Sequence, residues 1–203
     1  MGEAFCKLRQ KSWPPVFLNN RVKSPGILAT MLRPLQQSDL PLILPWRNEK
    51  AVREASFNQH LITEEEHLAW FCALTEDNTR SCLLYSDDQN QPSGVVSFSE
   101  IDLHLESALW GFYTKPSSPA GTGLCMLIAA ADHAFNKLAL HTIRAEVLVN
   151  NERSINLHHR LGFQQKGVLR THQLKSGQET EVIGFKLTFA DWQEKRRPLV
   201  TES

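Results

Sequence analysis

The chain has 203 residues, with 22 Lys and Arg against 22 Asp and Glu. That length fits one domain with a substantial core, and the balanced charge excludes a nucleic acid or an anionic membrane recognised through a basic field. Four scattered cysteines (Cys6, Cys72, Cys82, Cys125) make no C-x-x-C pair and no His/Cys metal spacing, so reduced thiols, a cytoplasmic location and no bound metal are expected. No apolar run approaches the roughly 20 residues of a membrane helix. The N-terminus also lacks the apolar core of a signal peptide.

Residues 1–29 mix Pro14, Pro15, Asn19, Asn20, Pro25 and Gly26 with isolated apolar residues. They read as an irregular extension, a flexible tail or an over-extended reading frame, ahead of a domain over residues 30–190. Thr30 to Pro34 is the first expected strand. Ser38 and Asp39 offer an N-cap to a short helix ending near Pro45, followed by Trp46-Arg47-Asn48 and a helical segment from Ala51 to Ala55. Thr63 and Glu66 form a capping box before a helix with Leu68, Phe71 and Leu74 at helical spacing. Ser81–Tyr85 and Gly94–Glu100 read as a hairpin across the polar turn 87–93.

Next come a strand (Ala108 to Tyr113), a glycine-bearing loop (Lys115 to Gly123), a helix (Leu124 to Leu138), an alternating strand (Thr142 to Val149) and a helix (Glu152 to Leu161). In the alternating strand Ile143, Ala145, Val147 and Val149 share one face, and Arg144, Glu146 and Leu148 the other. Two further strands, Gln164–Leu169 and Glu181–Leu187, flank a turn at Ser176-Gly177. Ala190 to Arg197 is polar and reads as a surface helix or tail, at the start of a C-terminal tail over residues 191–203. The order, β-αα-βββ-α-β-α-ββ, predicts an α/β (α+β) domain with a mixed central sheet flanked by helices.

The loop Pro119-Ala120-Gly121-Thr122-Gly123 runs straight into a helix. Glycines let backbone approach a ligand closely. The open N–H groups and dipole of the helix start favour an anion there, a phosphate or pyrophosphate. Thirty residues on stands the run Asn151 to Phe163, N-E-R-S-I-N-L-H-H-R-L-G-F. Together the two stretches resemble the GNAT family of N-acetyltransferases. In that family a Gly-x-Gly/Ala loop holds the pyrophosphate of acetyl-CoA, and an N-x-x-A-x-x-x-Y-x-x-x-G-F helix carries a CoA-contacting Asn and an acidic Tyr. Gly121, Gly123, Asn151, Gly162 and Phe163 match. Ser118 stands at the usual Arg/Gln, Ser154 at the usual Ala and His158 at the usual Tyr.

The resemblance implies the GNAT acyl-CoA N-acyltransferase fold, with the sheet splayed at the acetyl-CoA site. It implies acetyl-CoA as co-substrate, held by Phe112, Tyr113, Thr114, Ser118, Ala120, Gly121, Thr122, Gly123, Leu124, Asn151 and Ser154. The expected reaction is direct attack of an amine on the thioester, with His158 as acid in place of Tyr and Tyr113 as the next candidate. Glu100 and Glu106 flank a loop and are available to take a proton through water.

The front half carries a narrower resemblance. Trp46-Arg47-Asn48 with Glu65-Glu66-His67-Leu68-Ala69-Trp70-Phe71, and Gly111-Phe112-Tyr113, look like the PseH group, which acetylates the 4-amino group of UDP-4-amino-4,6-dideoxy-N-acetyl-β-L-altrosamine in pseudaminic acid biosynthesis for flagellin glycosylation. This implies a UDP-amino-sugar acceptor contacted by Arg47, His67 and Tyr113, and a monomer or homodimer. Arg suits a phosphate through its planar fork. Each residue also has a plainer reading. Trp46 is a core anchor, Arg47 a helix cap or surface ion pair, His67 an ion pair with the glutamates before it, and Tyr113 strand packing. His133, His141, His159 and His172 read as solvated. The alternatives are a RimJ/RimL-like protein N-terminal acetyltransferase and a non-catalytic acyl-CoA-binding module.

Overall fold

The computed structural model describes residues 31–201; the irregular extension expected over 1–29 lies outside the described residues. Seven strands form one sheet: β1 (Leu32–Pro34), β2 (Ser81–Ser86), β3 (Pro92–Asp102), β4 (Ser107–Thr114), β5 (Thr142–Leu148), β6 (Gln164–Gln173) and β7 (Glu179–Thr188). Their spatial order is β1-β2-β3-β4-β5-β7-β6. All neighbours pair antiparallel except β4 and β5, which are parallel. Six helices complete the domain: α1 (Leu40–Asn48), α2 (Lys50–Glu54), α3 (Glu64–Glu76), α4 (Thr122–Asn136), α5 (Glu152–Arg160) and α6 (Phe189–Thr201).

The two-residue period of the strands divides the core into two layers. Leu83, Tyr85, Val96, Phe98, Ala108 and Trp110 pack under α4 and α6. Cys82, Leu84 and Val95 face the other way, against Ile43 and Trp46 of α1 and Phe71 and Leu74 of α3. Helix α4 is apolar nearly all round and is buried along most of its length. It can lie directly on β3 because Gly94 has no side chain; a Cβ there would collide with Sδ of Met126.

Three elements differ from the sequence expectation. Helix α1 does not stop near Pro45 but continues through it to Asn48. A proline costs the helix one backbone bond to the residue four before it, and that loss is offset by burial of Ile43 and Trp46, one turn apart. Asp39 does not cap this helix with its side chain. It accepts from the Gln36 N–H at 2.8 Å and from both ends of the Arg33 fork at 2.7 and 2.8 Å. Of the two C-terminal readings the helix holds, as α6 as far as Thr201, but it is anchored on α4 rather than lying loose on the surface. Trp192 is 1% exposed. Its Nε1–H donates to Asp132 at 3.0 Å, and Arg196 makes a two-pronged pair with the same carboxylate. The capping box of α3 forms as the sequence predicts, Thr63 accepting from Glu66 N and Glu66 from Thr63 N.

Candidate active site

The sheet opens at its parallel junction. The β4–β5 ladder holds at only three positions, Ser107↔Thr142, Ala108↔Ile143 and Leu109↔Arg144. Beyond them β4 stays paired with β3 as far as Thr114, and β5 with β7 as far as Leu148. Each strand therefore follows its other neighbour, and the two diverge. The gap is a cleft of about 320 Å³. Its walls include Trp110, Gly111 and Phe112 from β4, Ala145 to Leu148 from β5, Asn151, Ser154 and His158 from α5, and Arg47 with residues 55–58 from the front of the chain. Two facing backbone edges suit an extended ligand with amide groups, which can pair with the strands as an added strand would.

The glycine loop leads into α4 where that helix meets α5 and the end of β4. Gly121 is the residue before the first turn of α4 and has φ of 94°, a left-handed conformation that glycine adopts without steric cost. No side chain caps the helix start; the Thr122 N–H bonds to Pro119 O and the Leu124 N–H to Gly121 O, which leaves the Gly123 N–H, with the helix dipole behind it, as the first-turn donor suited to an anion. A Cβ built on Gly123 would lie 3.6 Å from Leu157 Cδ1 and 3.8 Å from Thr114 Cγ2, so α4, α5 and the end of β4 converge here. Ser118 Oγ donates to Ser93 O, and Thr122 Oγ1 donates to Pro119 O, which holds the loop's shape. Leu124 is turned into the core, and its N–H bonds to Gly121 O; neither its side chain nor its amide is available to a ligand. Ala120 is exposed beside them.

Asn151 caps α5, its Oδ1 accepting from Ser154 N at 3.1 Å, while its Nδ2 donates to Ala55 O at 3.4 Å. His158 lies one turn beyond Ser154 and is 1% exposed. Its Nδ1 is 2.7 Å from Ser154 O, and its Nε2 accepts from the indole N–H of Trp110 at 3.1 Å. Burial, only partly offset by the bond to Ser154, pulls its pKa down to about 4. Ser154 itself is buried.

The front wall is built by the Trp46-Arg47-Asn48 segment. Trp46 is a core residue. Asn48 brackets Ile62, donating to its O at 2.8 Å and accepting from its N at 2.9 Å. Arg47 donates from Nη2 to Asn58 O at 2.9 Å, and its buried Nη1 has no partner among the described residues. Burial draws the guanidinium below its ordinary pKa, opposed by Tyr113 nearby. Burial, with Arg47 adding to it, also keeps His67 below the usual histidine value.

The structure thus gathers Arg47, His67 and Tyr113 into one neighbourhood. His67 makes no ion pair with the preceding glutamates. It is 4% exposed, stacked on Trp70 at 5.3 Å, with Nδ1 unpartnered, and Glu66 pairs instead with His60. Tyr113 packs toward α1 and α3, on the opposite side of β4 from Phe112 and His158. Burial raises its phenol well above the ordinary range.

A model of the acetyltransferase (GNAT) domain matches residues 30–164. The chain belongs to the GNAT acetyltransferase family. It is thus an N-acetyltransferase of a family that uses acetyl-CoA. Acetyltransferase PseH of Campylobacter jejuni is 27% identical over 129 residues, 64% of this chain and 79% of that protein. The ribosomal protein uS5-alanine N-acetyltransferase of Escherichia coli is 30% identical over 111 residues, 54% of this chain and 57% of that enzyme. The spermidine N-acetyltransferase of Vibrio cholerae, solved with CoA and spermine, shares the fold. Its TM-score is 0.74 at 23% identity, covering 80% of this chain and 96% of that one.

Sequence reasoning about this GNAT domain missed three contributors to the cleft. Glu146 is the carboxylate on its wall, and Arg170 donates to it at 2.6 Å. The outward phase of β5 was its only signal. Trp110 was legible as strand, not as the partner of His158. The loop 55–58 reaches across to β6, where the Phe57 ring lies edge-on to His172 and under the Arg170 guanidinium at 5.0 Å. His172 also bonds Phe57 O, so it is not simply solvated. His133 is not either; it stacks on Phe98. Glu100 pairs with Arg144, and neither it nor Glu106 lines the cleft. No cluster of three or more metal-ligating side chains occurs among the described residues, and no helix there is long and apolar enough to cross a membrane.

Proposed function

We propose that this enzyme transfers the acetyl group of acetyl-CoA to the 4-amino group of a UDP-linked amino-dideoxy sugar, as the PseH-like motifs imply. The observation that carries the reading is Arg47. Arg47 lines the cleft and its guanidinium keeps a buried Nη1 without a partner, while His67, near enough to feel its charge, has an unpartnered Nδ1. A buried donor without a partner is costly, and an anionic diphosphate relieves that cost. A polyamine would meet like charge there.

Acetyl-CoA lies in the splay, its pyrophosphate at the start of α4 against the Gly123 N–H and its amides between the edges of β4 and β5. The acceptor enters past Arg47 and residues 55–58. Its neutral amine attacks the thioester carbon, a C–N bond forms, and the C–S bond breaks with its electron pair leaving on sulfur. Glu146 is the cleft carboxylate that takes the amine proton, directly or through one water. Free thiols ionise near pH 8.5, so CoA can leave as the thiolate and take its proton from solvent.

The test is purified protein given acetyl-CoA and one acceptor at a time, with release of free CoA thiol measured. Turnover is expected with the UDP-4-amino sugar and not with alanine-terminated peptides or spermidine. Preference for the peptide would move the enzyme to the ribosomal-protein type, and preference for spermidine to the polyamine type.

A further inference from the structure

We propose that His158 is a positioning residue rather than an acid: with Trp110 it forms a strut that sets where β4 parts from β5. This rests on the reading of the splay as the thioester site.

An indole N–H can only donate, so Nε2 of His158 must present its lone pair to Trp110. The carbonyl of Ser154 can only accept, so the single ring proton sits on Nδ1 and points along α5. No proton is aimed at the cleft. Protonating Nε2 would set two N–H groups against each other inside a site where Trp110 is 4% and His158 1% exposed. The ring is also enclosed by aromatics from both sides of the gap. Trp110 and Phe112 come from β4, Phe185 from β7 and Phe163 from the turn just before β6, with centroids 4.9 to 5.9 Å away. The neighbouring His159 disfavours a second proton as well.

The location explains the purpose. The last β4–β5 pair is Leu109↔Arg144, and Trp110 is the next residue. Where the ladder ends, the indole-to-imidazole bond takes over and ties β4 to α5. The family motif carries a phenol at this position; here a neutral imidazole fills it and accepts from the strand.

The test uses the full chain and three variants. His158→Gln places an amide oxygen near the Nε2 position, able to accept from Trp110 but holding no acidic proton. It is expected to keep near wild-type kcat. His158→Leu and Trp110→Phe each remove the bond and are expected to lower kcat about 10²-fold, the cost of a misplacement of about 1 Å, with acetyl-CoA Kd changed far less. The double variant Trp110→Phe/His158→Leu should be no slower than either single change, because both cut one link. His158→Gln losing roughly 10²–10⁴-fold, the contribution of a general acid, would overturn the strut. So would full kcat in Trp110→Phe, which remains decisive if His158→Leu does not fold. The indole N–H resonance of Trp110 separates the two layers of the argument. Acetyl-CoA that binds without moving it would overturn the cleft as the thioester site. A moved resonance with an inactive His158→Gln would overturn the strut alone.

Discussion

Glu146 and Arg47 hold opposite charges on one cleft, and each can be removed without dismantling the core. Glu146 pairs with Arg170 at a half-exposed site, where an ion pair contributes little stability. Glu146→Gln should therefore leave Tm within a degree or two while kcat falls roughly 10²–10⁴-fold, the usual contribution of a positioned base. A thermal melt beside a thiol-release assay checks it, and unchanged kcat would send the proton elsewhere. Arg47 has a different task. Arg47→Lys keeps a charge but loses the fork that reaches Asn58 O and the open side together. The acceptor KM should rise about tenfold or more, matching the ~1.5–3 kcal/mol of a hydrogen bond to a charged group, with acetyl-CoA KM unchanged. An equal rise in both constants would mean that Arg47 only supports the loop.

On the proposed reading, the start of α4 is where one element's local geometry matters most for acetyl-CoA. Gly121 and Gly123 act differently although they are two residues apart. A Cβ on Gly121 meets nothing within 4 Å, so the demand there is conformational, from φ of 94°. Gly121→Ala should cost ~1–2 kcal/mol of backbone strain, read as a lower Tm and a loosened acetyl-CoA site. Gly123 has ordinary van der Waals room for one methyl, so Gly123→Ala should fold and bind almost normally. Gly123→Val pushes Leu157 of α5 and Thr114 of β4 apart. It should weaken acetyl-CoA binding by ~1–3 kcal/mol, measured by calorimetry. Normal affinity in Gly123→Val would place the pyrophosphate away from this junction.

Across the whole molecule, burial holds three histidines toward the neutral form, His67, His133 and His158, the last two most strongly. Burial lowers both His133, with Lys137 adding to it, and His158 to about 4, from an ordinary value of 6.5. Between those pH values the unfolded chain binds protons that the folded one refuses, so stability is intact above about 6.5 and falls as pH drops toward 4. His133 and His158 should bring the slope toward two protons taken up on unfolding, and His67 adds to it in the same direction. Urea denaturation across that range measures it, and His158→Gln should remove about one proton from the slope. A flat profile between pH 6.5 and 4 would show that none of these rings is held neutral.

What the sequence determined by itself was local or periodic. The capping box at Thr63 and Glu66, the alternation of β5, the glycines before α4 and the N-x-x-S-x-x-x-H-x-x-x-G-F run are each written within a few turns of chain, and they identify strand, loop and helix without reference to anything distant. What only the tertiary structure decided depends on residues far apart in sequence. Helix α1 survives Pro45 because Ile43 and Trp46 are buried under the sheet, and α6 forms as a docked helix because Asp132 receives Trp192 and Arg196 from 60 residues and more away. His67 and its glutamates look like an ion pair in sequence, yet the helix turns the ring inward to Trp70 and Arg47. His158 resembles an acid by register alone. Its hydrogen bonds, to Ser154 of its own helix and to a tryptophan 48 residues earlier, are set by where the strands diverge, and that divergence is a property of the whole sheet.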